Sequence, residues 1–365
     1  MGAMLPHSAA AIVAMLFLLA PTDTPAGPPS DFPARLSAAG DAAARSARAG
    51  AVLDVKGCGL AFSGAFGVAN RKAKIPMLVD DRLRLGSIGK LYAAAAIHRL
   101  AARQVLDLDA PASRYLRADD AVGVEGRDAT LRQLLNHTAG VPDYYALPNI
   151  RRWDWTQPLT PSRILTAVKG APATHAPGAA YAYSNTGYHL SALAAERAAG
   201  KPFAQIIVGE AIAPTGLTAT RYHETAPGGR VHGYAGRADM WSSAENTGPD
   251  SGVTATAADV AAMLRALFSA GGTLQGAGDA MRANPVETGK PRQSAGPGVE
   301  IRTSRGGLTL VGHTGDVEGY LSFAYIAPDN GVTLVGHLTA SDPERFGALL
   351  RETVAVVEEA CAVSR

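Results

Sequence analysis

Three short stretches of this chain carry residue types able to cut an acyl bond, and the first is Ser87-Ile88-Gly89-Lys90. A serine at a helix start, with a lysine one turn on, puts both side chains on one helix face. The helix N-terminus also favours the negative charge that develops on an alkoxide or oxyanion. Lysine is a poor base at its ordinary pKa of about 10.4, but desolvation and nearby cations lower it. A lowered Lys90 would accept the Ser87 hydroxyl proton, as an activated nucleophile requires. Alone the pattern is weak, because a serine cap followed by a lysine occurs in many ordinary helices.

The second stretch is Tyr183-Ser184-Asn185. A phenol can relay a proton to a leaving group, and a carboxamide can bind a substrate amide. Taken by itself it reads as a helix start, with Asn185 capping a helix over 186–199 and Tyr183 in the core. The third stretch is His313-Thr314-Gly315, at the end of a strand expected over 308–312. A cationic or hydrogen-bonding side chain there can orient a substrate carboxylate, and Thr314 adds a hydroxyl. A strand edge can pair with a peptide-like substrate, and its N–H groups can hold an oxyanion. The plain alternative is a histidine in a glycine-rich turn.

Elements to position these groups are legible on both sides. A helix is expected from Asp31 to Ala47, then strands over 51–55 and 60–68 joined by a Lys56-Gly57 turn. A long Ala-rich helix runs from Ser87 to about Arg103 with Leu91, Ala94, Ile97 and Leu100 in register. Helices over 131–137, 161–169, 186–199 and 203–212 are joined by Gly- and Pro-rich loops. Strands return over 299–304, 308–312, 321–327 and 332–338, with turns at Arg305-Gly306 and Asp329-Asn330-Gly331. A helix over 343–361 closes the pattern. The fold class is therefore α+β: one antiparallel sheet built from N- and C-terminal segments, flanked by helices, with a mostly helical insertion over about 110–245. A site would sit in the cleft between sheet and insertion.

The three stretches occur in the order SxxK, YxN, then HTG, and in that order the chain resembles the serine β-lactamase and penicillin-binding protein superfamily. Further segments are similar to its motifs: Leu134 to Tyr144 (LLNHTAGVPDY), Pro177 to Gly187, Ser251 to Val260 and Gly312 to Tyr320. The resemblance covers roughly 51–361. It implies Ser87 as the acylated nucleophile, with Lys90 and Tyr183 sharing base and acid work. It implies Asn185 on the substrate amide, His313, Thr314 and Gly315 at the substrate carboxylate, and an oxyanion hole from the N–H groups of Ser87 and Asp316. Tyr144, Trp241 and Tyr320 are further cleft candidates. His313 in place of a lysine, together with YSN, looks most like the D-alanyl-D-alanine carboxypeptidases of the class C β-lactamase-like group. An esterase, β-lactamase or D-aminopeptidase of the same superfamily is the first alternative. A catalytically silent penicillin-binding-like scaffold or sensor is the competing class, and the intact Ser87, Lys90, Tyr183 and Asn185 argue against it.

Composition bounds the rest. A chain of 365 residues, 47% hydrophobic, can bury a large core, and a net charge of +2 with scattered Lys and Arg gives no nucleic-acid stripe. The expected partner is a small-molecule or peptide substrate: a D-Ala-D-Ala stem peptide, a β-lactam or an ester. An α/β-hydrolase would want G-x-S-x-G, but Leu85 stands two places before Ser87. The nine histidines include no HExxH pair, and neither a metal nor another cofactor is expected. Ala9 to Ala20 is an unbroken apolar run followed by Pro-rich sequence, too short for a comfortable membrane span. Residues 1–26 are read as a signal peptide, with 27–365 as one hydrolase domain in the periplasm or outside the cell. The two cysteines, Cys58 and Cys361, form either one disulfide in an oxidising compartment or two separate buried thiols.

Overall fold

The computed structural model describes residues 31–117, 120, 128–222, 230–244 and 247–363. The leader expected over 1–26 lies outside the described residues. The first described element is helix α1 (Phe32–Ala47), with Pro33 in its first turn and a left-handed Arg48 ending it. Strands β1 (Gly50–Gly57) and β2 (Leu60–Asn70) follow as a hairpin. Its turn lies at Gly57, Cys58 and Gly59, all with positive φ, and not at Lys56-Gly57. The short strands β3 (Ile75–Pro76) and β4 (Leu83–Arg84) lead to the first candidate motif.

The helical part comprises α2 (Gly89–Ala102), α3 (Leu131–Leu135), α4 (Pro161–Val168), α5 (Thr186–Ala199) and α6 (Phe203–Ile207). Two expected helices are shorter than read. The helix over 131–137 stops at Leu135, and the one over 203–212 changes to a wider π-helical turn at Val208–Ile212. Buried side chains surround α2 on every face, from Leu91 and Tyr92 through four alanines to Ile97. A helix apolar all round is a central helix, and the alanines let its neighbours approach closely.

After β5 (Arg221–Tyr222), β6 (Tyr234–Ala235), β7 (Ala238–Asp239) and β8 (Val253–Ala255) come helices α7 (Ala257–Phe268) and α8 (Gln275–Arg282). Thr256 caps α7 by accepting the N–H of Asp259. The chain then returns to the sheet as β9 (Val286–Glu287), β10 (Gln293–Gly296), β11 (Val299–Thr303), β12 (Thr309–Val317), β13 (Tyr320–Ala327) and β14 (Val332–Leu338). It ends in α9 (Pro343–Val363).

One nine-stranded sheet results, in the order β3-β2-β1-β14-β13-β12-β11-β10-β9, with antiparallel pairing throughout. Pairing of β1 with β14, Ala51 opposite Leu338, joins the early strands of the sheet to the late ones. Both faces of the central strands are covered, so β13 and β14 are buried along their whole length. Phe323 and Tyr325 pack in one core with α1 and α9, whereas Ala324, Ile326 and Val335 pack in the other with α2, α5 and α7. Cys58 and Cys361 form a disulfide that ties the β1–β2 turn to α9. Among the described residues no helix is long and apolar enough to cross a membrane.

Candidate active site

Ser87 stands in a single 3₁₀ turn, Gly86–Ile88, that links β4 to α2. Two close approaches fix that turn. Gly86 has φ +55°, and a Cβ there would come within 2.8 Å of the Asp316 nitrogen. A Cβ at Gly315 would lie 1.9 Å from the Leu85 carbonyl oxygen and 2.3 Å from Ser322 Oγ. The nucleophile turn therefore lies directly on the backbone of β12, and the Ser322 hydroxyl donates to the Leu85 carbonyl at 2.8 Å. This contact sets the N–H groups of Ser87 and Asp316 on adjacent backbones, as an oxyanion hole requires.

Lys90 is fully buried one turn below the serine. Its Nζ donates to Ser87 Oγ at 2.9 Å, to Asn185 Oδ1 at 2.7 Å and to the Asp250 carbonyl at 3.0 Å. Burial lowers its pKa to about 8, against the opposing pull of Asp250, Asp143 and Glu300. The Tyr183 phenol donates to the same Ser87 Oγ at 2.9 Å. Burial raises Tyr183 well above its ordinary value, so it holds its proton. The two side chains thus differ in role: a lysine able to become a neutral amine, and a phenol able to hand a proton on.

Asn185 precedes α5 but does not cap it, since its side chain accepts no N–H from the first turn. Its amide instead links Lys90 to Asp143, donating to both carboxylate oxygens of Asp143 at 3.2 Å. His137 supports the segment that leads into α5. Its ring stacks on Tyr183 with centroids 4.2 Å apart and its Nδ1 accepts the Ser184 N–H at 3.1 Å.

Three positioning groups, Asp250, Asp143 and His189, are not among the residues that the sequence offers as site candidates. Asp250 is buried below Lys90 and accepts from the Tyr144 phenol at 2.8 Å and contacts His189 Nε2 at 3.1 Å. Burial pushes the Asp250 carboxyl up, but His189, Lys90 and Tyr144 outweigh it and hold the group below its usual value. Asp143 and His189 complete this set. Pairing of β4 with β8, Leu83 opposite Ala255, brings the Asp250–Ser251 segment alongside the nucleophile turn.

The third stretch is not a turn after a strand. His313, Thr314, Gly315 and Asp316 all lie within β12, which runs on to Val317. Glycines at 312 and 315 serve close backbone contacts here: a Cβ at Gly312 would sit 1.9 Å from the Ala324 carbonyl of β13. His313 Nδ1 donates to the Thr314 carbonyl oxygen, leaving Nε2 as the free position of a neutral ring. Burial lowers the His313 pKa, with Glu300 opposing.

These groups line one cleft of about 1020 Å³ whose wall includes Ser87, Tyr183, Asn185, His313, Thr314 and Asp316. Lys90 and Gly315 lie behind it. Tyr145, Ile150 and Trp155 form an aromatic and apolar side of the same cleft. Three expected cleft residues are placed elsewhere by packing. Tyr144 is buried against Asp250, Tyr320 donates to the Val231 carbonyl at 3.3 Å, and Trp241 stacks on His232.

Such an arrangement can perform acyl transfer. Ser87 Oγ attacks a carbonyl carbon as its proton passes to Lys90, and the oxyanion rests on the two N–H groups. The C–N or C–O bond breaks as the leaving group takes a proton through Tyr183. Water then attacks the acyl-serine by the reverse relay, giving the acid and free Ser87.

Comparison with known proteins gives the family. The family model described as Beta-lactamase matches residues 35–359. Penicillin-binding protein 4* of Bacillus subtilis (strain 168) is 30% identical over 189 residues, 51% of this chain and 41% of that protein. Esterase EstB of Burkholderia gladioli is 33% identical over 203 residues, 50% of each chain. The match thus spans about half the length, or less, of these curated relatives. A D-stereospecific amidohydrolase from Streptomyces sp. shares the fold with a TM-score of 0.76 at 26% identity, covering 86% of this chain and 96% of that one. Because the family match extends from α1 to α9 and encloses the sheet, the nucleophile turn and the cleft, this chain belongs to the Beta-lactamase family.

Proposed function

We propose that this protein is an exported serine hydrolase that forms an acyl-enzyme on Ser87 while cleaving amide or ester bonds of D-amino-acid compounds. One observation carries the reading: Ser87 Oγ lies 2.9 Å from both a buried lysine of lowered pKa and a protonated phenol. Substrate class is supported by the relatives, which include an esterase and a D-stereospecific amidohydrolase. Export is supported by the apolar run Ala9 to Ala20 and by the Cys58–Cys361 disulfide, since such bonds persist in oxidising compartments.

Within that chemistry, the D-alanyl-D-alanine carboxypeptidase reading rests on His313 in place of a lysine together with Tyr183-Ser184-Asn185. It uses His313 and Thr314 to hold the terminal carboxylate of a stem peptide. A second reading, amidase or esterase, is favoured by the buried acid Glu300 beside those two residues. The test of the common reading is acylation by a neutral p-nitrophenyl ester, followed by mass spectrometry of the quenched, digested protein. The acyl group is expected on the Ser87 peptide of the wild type and absent from Ser87→Ala. An adduct of equal yield in Ser87→Ala would overturn the assignment.

A further inference from the structure

Glu300 projects from β11 into the cleft beside β12, opposite Gly312 in the strand register. It is 9% exposed. Its Oε2 accepts from the Tyr325 phenol at 2.6 Å and from Arg302 Nε at 3.0 Å, and its Oε1 stands 3.4 Å from the Thr314 hydroxyl. Burial pushes its carboxyl up, but the Arg302 ion pair and the Tyr325 hydrogen bond oppose that and favour the carboxylate.

Its place along the cleft follows from the proton relay. A leaving group takes its proton through Tyr183, so it departs on the Tyr183 side, away from the N–H pair of Ser87 and Asp316. His313 lies on that side, its ring centroid 6.3 Å from that of Tyr183, and Thr314 and Glu300 lie next to it. A free carboxylate on the leaving group would need a cation there. His313 is neutral, the Arg302 charge is spent on Glu300, and the Thr314 hydroxyl already faces an anion. The described residues lining the cleft add Asp143, Asp250, Asp316 and Glu318 against one exposed cation, Lys290. An exposed ammonium is screened by solvent and salt.

We infer that Glu300 is a specificity-determining residue that rejects leaving groups bearing a free carboxylate and selects carboxamide, amine or alcohol leaving groups. Rejection of this kind works by like-charge juxtaposition rather than by a new attraction. The inference rests on the serine hydrolase reading above and narrows its substrate.

The test compares two substrates that differ only at the leaving group: diacetyl-L-Lys-D-Ala-D-Ala and its C-terminal carboxamide. Both give the same acyl-enzyme, so their kcat/KM ratio isolates the leaving-group end. Wild type is expected to prefer the carboxamide by at least ~10-fold, and Glu300→Gln to bring the ratio towards unity by gaining on the acid. Gln keeps an acceptor for Tyr325 and Arg302 while removing the charge, so a purely structural role would lower both substrates and leave the ratio alone. Equal or better turnover of the acid by wild type would overturn the inference, whether or not Glu300→Gln folds. So would an unchanged ratio in a folded Glu300→Gln. Acylation of Ser87 by the p-nitrophenyl ester in the same preparation separates the two levels. If it occurs while the ratio is flat, only the role of Glu300 falls; if no probe acylates Ser87, both readings fall.

Discussion

At the scale of single residues, the division of labour between Lys90 and Tyr183 is set by burial acting on groups of opposite charge type. Desolvation disfavours the charged form, so it lowers an ammonium and raises a phenol. Lys90 is brought to about 8, while Tyr183 is held far above neutrality as a proton donor. The base is active only when unprotonated, so its active fraction falls about tenfold per pH unit below its pKa and levels off above it. For a neutral ester, kcat/KM should therefore rise with unit slope up to about pH 8 and then plateau, as followed by stopped-flow acylation. A flat profile from about pH 6 to 9 would remove Lys90 as the base. Two nearby anionic groups, Asp250 and Asp143, pull the other way and limit how far burial lowers the lysine. Neither was legible from spacing. Asp143 lies in the VPDY stretch already singled out and Asp250 just before Ser251-Gly252, but a lone aspartate gives no signal until packing brings it to a partner.

At the scale of elements, the site depends on a turn and a strand approaching more closely than side chains allow. Gly315 has no room for a methyl group, because the Leu85 carbonyl oxygen would stand 1.9 Å from it. Gly315→Ala must push β12 off the nucleophile turn and displace the Asp316 N–H from the oxyanion position. Losing one such donor costs about 10²–10³ in rate, so acylation should fall by that order while circular dichroism stays native. Acylation within about threefold of wild type would show that the close approach is not what builds the hole. The same glycines explain a misreading of the sequence. Glycine weakens an isolated strand, so the residues around Gly312 and Gly315 read locally as a strand that stops at Gly312, the expected span 308–312. In the folded chain they mark where the backbones of β13 and Leu85 come near, and β12 continues through them. Elements whose packing follows their own periodicity were legible: α5 and β14 match over 186–199 and 332–338. Asn185 was ambiguous for a related reason, because a residue suited to cap α5 locally is held instead by Lys90 and Asp143 from elsewhere in the chain.

At the scale of the whole molecule, the sheet separates two cores with different duties. One carries α2, α5 and α7 and supports the cleft. The other is closed by the terminal helices α1 and α9, joined by ion pairs from Arg35 to Glu352 and Glu359. The disulfide belongs to this second core, with Cys361 on α9 and Cys58 at the β1–β2 turn, 303 residues apart in sequence. That separation is why two cysteines alone left the pairing open, and also why the bond should matter. Cross-linking so long a loop removes conformational freedom from the unfolded chain, and loss of a native disulfide typically costs about 2–5 kcal/mol. The double variant Cys58→Ala/Cys361→Ala should therefore lower the free energy of unfolding in urea by that amount. Because the cut falls on the core away from the cleft, kcat/KM for a neutral ester should stay within about twofold. A reducing agent should shift the wild-type transition towards that of the variant and leave the variant's own transition unmoved. A variant that unfolds at the wild-type midpoint would mean that pairing of β1 with β14 and the ion pairs between α1 and α9 already hold the first and last described elements together.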